Sequence, residues 1–207
     1  MYKSVPYVIL ATAAVLVAAA VVLFVTQRMP DDSSAEAGFA RDMAVHHAQA
    51  VEIASIVESR TENEEVRTLA SDIVLTQQAQ IGQMQGWLAV WELPQTGSEE
   101  QMAWMGHEMQ AGELMPGMAT RNEIISLSKL PPDDMDTEFL RLLVEHHSAA
   151  IPMANAVLDQ TNRPEVETLA RAIVSSQRTE ISVMNNMLRR MGEDPVPTQN
   201  DMQDMDM

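Results

Sequence analysis

Cysteine is absent from the 207 residues. That rules out disulfides, thiolate-bound metals and a lipidated cysteine anchor. Aromatic residues make up only 4%, which suits a helical core and gives no sign of a β-rich fold. Basic residues are scarce, with 13 Lys and Arg against 30 Asp and Glu and a net charge of −17. A chain so acidic repels nucleic acid and anionic membrane surfaces and attracts cations. No phosphate-binding or dinucleotide loop and no nucleophile–base signature occurs. A ferritin-type di-iron centre needs Glu-x-x-His on two helices. Three residues before His46, His47, His107, His146 and His147 stand Met43, Ala44, Trp104, Leu143 and Val144. Di-iron oxidase chemistry is therefore not expected, and the chain reads as a binding protein and not as an enzyme.

What the chain does have is a repeat. Phe39-Ala-Arg-Asp-Met43-Ala-Val-His46-His47 recurs as Phe139-Leu-Arg-Leu-Leu143-Val-Glu-His146-His147, and residues 39–88 laid on 139–188 without a gap give 19 identities in 50 positions. Such a repeat fixes the architecture before anything else is read. With His46 at zero and ~100° per residue, Phe39, Met43, Ala50, Ala54 and Val57 fall within one narrow stripe. His46 and His47 then flank that stripe. Val66, Leu69, Ala70, Ile73, Val74, Gln77, Ile81, Met84 and Leu88 follow helix spacing as well. Short polar loops at 61–65 and 161–165 make each repeat a helical hairpin. Two hairpins predict an all-α four-helix bundle over residues 38–192, with repeats 39–92 and 136–191. The expected helices run 36–60, 64–92, 136–160 and 164–191. Ser33 or Ser34 is the expected first cap, Pro164 suits a first helical turn, and Gly192 a C-terminal cap.

One long apolar run, residues 5–25, precedes this domain, with Lys3 before it and Arg28 after. Its length matches a spanning helix better than the shorter core of a secretory signal. Residues 1–28 therefore read as an N-terminal transmembrane signal-anchor in a lipid bilayer. Ala18-Ala19-Ala20 leaves a cleaved signal peptide as the alternative. Either reading puts the domain on the extracytoplasmic side. Residues 29–37 read as a tether, and residues 193–207 as a disordered acidic tail with Met202, Met205 and Met207.

The connection 94–135 is broken by Gly and Pro and holds Met102, Met105, His107, Met109, Met115 and Met118. Within it, Thr120-Arg-Asn-Glu123 is a capping box that predicts a short helix. Methionine usually fills core, and these side chains could simply pad the bundle's open end. Clustered thioethers and imidazoles also suit Cu(I), and Ag(I) by analogy. The paired histidines could be hydrogen-bonded residues at the edge of the core. Recurring at matched sites, they could instead converge as ligands, with Met43 one turn before the first pair and Met153 seven residues after His146. Gln77 and Gln177 are candidate partners for the histidines, or merely for each other.

The pattern Phe-x-Arg-x-Met-x-x-His-His-x-x-Ala, the later Gln-x-x-x-Ile-x-x-Met, the Met-Pro-Gly-Met connection and the second His-His copy resemble domain-of-unknown-function family 305, over residues 38–192. The resemblance implies a ferritin-like fold, an extracytoplasmic setting and, as in some members, copper or silver binding through Met43, His46, His47, the Met102–Met118 cluster, His146 and His147. Many members carry Met where this chain has Leu143, so the second site departs from the first. Two functions follow as expectations. One is a membrane-anchored Cu(I) or Ag(I) buffer, or a donor to a copper-receiving protein. The other is a structural accessory subunit of a respiratory or photosynthetic membrane complex.

Overall fold

The computed structural model describes residues 9–18 and 29–197. Residues 9–18 are helical (α1) and belong to a unit that ends at Pro30; everything from Asp31 onward forms a second unit. Of the expected span 5–25, residues 5–8 and 19–25 lie outside the described residues. Among the described residues no helix is long and apolar enough to cross a membrane. The last ten residues, 198–207, with the tail methionines, also lie outside them.

The second unit is a helical bundle. Its helices are α2 (Ala35–Glu58), α3 (Glu64–Val90), the short α4 (Arg121–Leu127), α5 (Pro132–Leu158) and α6 (Pro164–Met191), with a 3₁₀ turn at Ala103–Met105. Local chemistry sets the boundaries. Ser34 caps α2 by accepting from the Ala37 N–H, and Asn63 caps α3 by accepting from Glu65 and Val66. Thr120 and Glu123 form the expected capping box on α4. Pro164 opens α6, and Gly192 closes it in the left-handed region at φ 84°.

Helices α2 and α3 pack as one hairpin, α5 and α6 as the other, and α2 lies against α5. The repeat shows in the polar pins between hairpins. The Thr61 hydroxyl in one turn donates to Asp136 (2.7 Å) at the start of α5, and the Thr161 hydroxyl donates to Glu36 (2.8 Å) at the start of α2. Each pair is the other shifted by 100 residues. Two apolar clusters fill the interior. One gathers Ala50–Val57 and Val66–Ile73 with Met135–Val144 and Ile181–Leu188; the other gathers Phe39, Met43, Met84, Leu88, Met102, Met115, Met153 and Val166–Ile173. His46, His47, His146 and His147 sit between them along α2 and α5.

Residues 31–34 are held to the bundle: Asp32 pairs with the buried Arg41 and accepts from the Ser98 hydroxyl (2.9 Å), and Arg41 also donates to the Pro94 carbonyl (3.1 Å). The start of the tail is held too. Asn185 exchanges two hydrogen bonds with the Val196 backbone (2.8 and 3.1 Å), and Arg141 pairs with Glu193 (2.8 Å).

Candidate metal centre

All four paired histidines are buried, each at most 1% exposed. The expectation that they flank a single stripe was too narrow, because α2 is covered on two sides. On the α5 side, the His46 and His146 rings lie 3.8 Å apart, centroid to centroid, tilted by 38°. On the α3 side, His47 Nε2 meets Gln80 Oε1 at 2.8 Å. The second hairpin repeats that contact: His147 Nε2 meets Glu180 Oε2 at 2.6 Å. His146 and His147 centroids are 6.1 Å apart.

The partners assign the protons. The Pro116 carbonyl lies 3.2 Å from His46 Nε2. Carbonyl and carboxylate oxygens only accept, so His46, His47 and His147 carry hydrogen on Nε2. Their Nδ1 atoms are buried without a partner. His146 makes no well-formed hydrogen bond at either nitrogen; its ring only approaches the His46 backbone. Burial disfavours the charged imidazolium. It holds His46 down to about 4, with His147 adding to the effect and the Pro116 bond opposing it. Burial and then His46 push His47 to about 3, and burial first of all keeps His146 well below the ordinary range. His46, His47 and His146 are thus neutral rings, and all four histidines bury an Nδ1 without a partner.

Gln77 and Gln177, expected as the histidines' partners, do not reach them; both are buried with unpaired side-chain oxygens. Gln80 and Glu180 take that role. The signal was a constant separation of 33 residues from His47 and His147, across each hairpin.

The connection's methionines divide. Met102 and Met115 are buried, and Met105, Met109 and Met118 pack partly buried against the same cluster as Met43 and Met153. His107 is exposed, whereas the other four histidines are buried. Two devices hold the connection down. Asp42 accepts from the Met102 N–H and the Trp104 indole, both at 2.8 Å. Met102 itself is left-handed, at φ 66°, a conformation that costs a side-chain-bearing residue about 1 kcal/mol or more. Gly117, at φ 76°, brings the chain so close to α5 that a Cβ there would stand 2.8 Å from the Glu145 carbonyl. Met115-Pro116-Gly117-Met118 therefore straps the bundle where His46 meets His146.

The donor types fit a soft ion: neutral imidazole lone pairs and thioethers, without cysteine. The geometry is not preset. Among the described residues no group of three or more His, Asp or Glu is placed to hold a metal. Metals bind in the plane of an imidazole, so rings in face contact must turn before they share one ion.

A bundle of two repeated hairpins with a buried histidine layer and a methionine strap is the class defined here. The chain belongs to the DUF305 family, whose model, described as a domain of unknown function, matches residues 36–188. A DUF305 protein from Streptomyces coelicolor, described as a candidate secreted protein, is 42% identical with a TM-score of 0.76, over 81% of this chain and 99% of that one. CopM in its Cu(II)-bound form is 26% identical with a TM-score of 0.59, over 76% of this chain and 97% of CopM. Its Cu(I)- and Ag-bound forms, both at 24% identity, are alike in fold. Protein L153 of Acanthamoeba polyphaga mimivirus is 38% identical over 53 residues, so the match spans 26% of this chain and 35% of L153.

Proposed function

We propose that this chain is an extracytoplasmic metal-binding protein that buffers or delivers Cu(I) or Ag(I) and is not an enzyme. Residues 5–25 would anchor it in the membrane. The observation that carries the reading is the buried histidine layer with unpaired Nδ1 atoms, together with the buried methionine cluster of Met43, Met102, Met115 and Met153. Buried polar atoms without a protein partner are costly unless something else sometimes claims them. The copper-bound forms of CopM and the secreted description of the Streptomyces relative support it. Neutral ligands favour a monovalent d10 ion, and neither Cys nor Glu-x-x-His is present to build a closed Zn(II) site.

The test is competition against a chromophoric Cu(I) chelator at about pH 7.5 and about pH 5.5, with Zn(II) as the contrast ion. The parent should compete for Cu(I) and Ag(I) and ignore Zn(II). Leu at positions 102, 105, 109, 115 and 118 together should keep the fold, since Leu and Met are close in volume, and should remove the thioether share of binding at both pH values. Gln at positions 46, 47, 146 and 147 should remove the imidazole share, which in the parent persists at about pH 5.5 because burial holds His46 and His47 down to about 4 and about 3. The second reading is the structural accessory subunit. It is favoured by the burial of Met102 and Met115, which fill the bundle as ordinary core. A parent that does not compete, yet co-purifies with a membrane complex, establishes that reading instead.

A further inference from the structure

Each hairpin holds its second histidine from behind, and the two hairpins do so with different chemistry. His47 and His147 are fully buried and both donate from Nε2 to the helix paired with their own. The acceptor on α3 is the neutral amide of Gln80; at the matched position on α6 it is the carboxylate of Glu180. The identity of the contact shows that both residues position a ring. The difference in charge shows that the two positions are not interchangeable.

We propose that Gln80 and Glu180 are positioning residues that keep His47 and His147 as Nε2–H tautomers with Nδ1 free to bind. We further propose that Glu180 makes the second half-site the one that takes a divalent ion such as Cu(II). This rests on the metal-binding function proposed above and deepens it. The first half-site, Met43, His46, His47 and Gln80, is neutral throughout. The cost of moving an ion from water into such a place rises with the square of its charge, which favours a monovalent ion. In the second half-site Leu143 replaces the thioether of Met43, and Glu180 adds a negative charge beside His147. Loss of a soft donor and gain of a charge both shift preference toward a harder, more highly charged ion. A carboxylate behind an imidazole also raises its basicity as a ligand.

Access differs in the same sense. Glu180 is 20% exposed and lines a groove of about 550 Å³ between α3 and α6, with Glu64, Thr68 and Asp72. Gln80 is buried. Glu180 can therefore be reached from solvent and Gln80 cannot.

The experiment uses the full-length protein in mild detergent with 15N-labelled histidine, and the variants E180Q, E180L and Q80E. In metal-free samples, imidazole 15N spectra should report Nε2–H for His147 in the parent and in E180Q, whose amide still presents an oxygen, and loss of that tautomer in E180L. Cu(II) uptake is then followed by electron paramagnetic resonance and Ag(I) uptake by chelator competition. E180Q should weaken Cu(II) binding by about tenfold or more, the usual effect of losing such a partner, and leave Ag(I) nearly unchanged. Q80E should add a second Cu(II) signal. The positioning role is overturned if E180L keeps the parent's tautomer. The charge assignment is overturned if E180Q leaves Cu(II) untouched or weakens both ions equally. A parent that binds neither ion overturns the metal-binding function and the half-site assignment together, while the tautomer spectra still decide the positioning role.

Discussion

Acid should unfold this bundle from its middle. An ordinary histidine gains its proton near pH 6.5, and so do His46 and His47 once unfolded. In the folded chain burial holds them down to about 4 and about 3. Between those limits the unfolded state binds more protons than the native one. Stability is thus at its plateau above about pH 6.5 and falls as the pH drops below it. About pH 4.5 lies two units below the unfolded midpoint of each ring, worth between about 2 and 3 kcal/mol apiece and about 5 kcal/mol together. His146 adds in the same direction. Asp42 and Asp136 work against it: burial raises both carboxyls, so the native state takes their protons first and gains stability as the pH falls. Against a total stability of about 5–15 kcal/mol, the histidine effect is large enough to see. The assay is urea unfolding of metal-free full-length protein by far-ultraviolet circular dichroism, from about pH 7.5 to about pH 4.5. The H46Q/H47Q variant should start less stable but show a much flatter pH profile. A parent that loses less than about 1 kcal/mol over that range, or a variant with the parent's slope, would refute the burial argument.

Three further outcomes are expected. Gly117→Ala should lower stability by about 2 kcal/mol or more, read as Tm, because it combines a left-handed backbone with a Cβ pressed on the Glu145 carbonyl. Asp42→Ala leaves the buried Met102 N–H without an acceptor, a loss of about 1–3 kcal/mol. Hydrogen exchange should quicken at residues 102–105 and stay slow in α3 and α6. If residues 5–25 span the bilayer, the native protein begins at or near Met1 and stays in membranes through a high-salt wash; a soluble form starting near residue 27 identifies a cleaved signal peptide.

The helices were legible because their signals are local. The stripe from Val66 to Leu88, the Thr120 capping box, Pro164 and Gly192 each act within a turn or two, and each holds in the structure. The depth of His47 was not legible. A stripe drawn from one helix assumes one neighbour, whereas α2 is covered by both α3 and α5. Gln80 and Glu180 escaped for a related reason. Gln77 and Gln177 stand out because they are identical, and the pair that meets the histidines is one whose members differ. The descent of Met102 and Met115 into the core was also hidden, since a loop has no periodicity to betray which side chains turn inward.

His46 touches His146, its own counterpart one repeat away. A residue meets its own counterpart only on a twofold axis, which is how identical subunits meet in a symmetric dimer. The chain is in effect a hairpin dimer whose copies share one gene. In a true homodimer every substitution is made twice, and the axis forces both sides to accept it. Joined end to end, the copies can be edited singly. Met43 against Leu143, and Gln80 against Glu180, are edits of that kind, lying on either side of a contact that the inherited symmetry still holds in place.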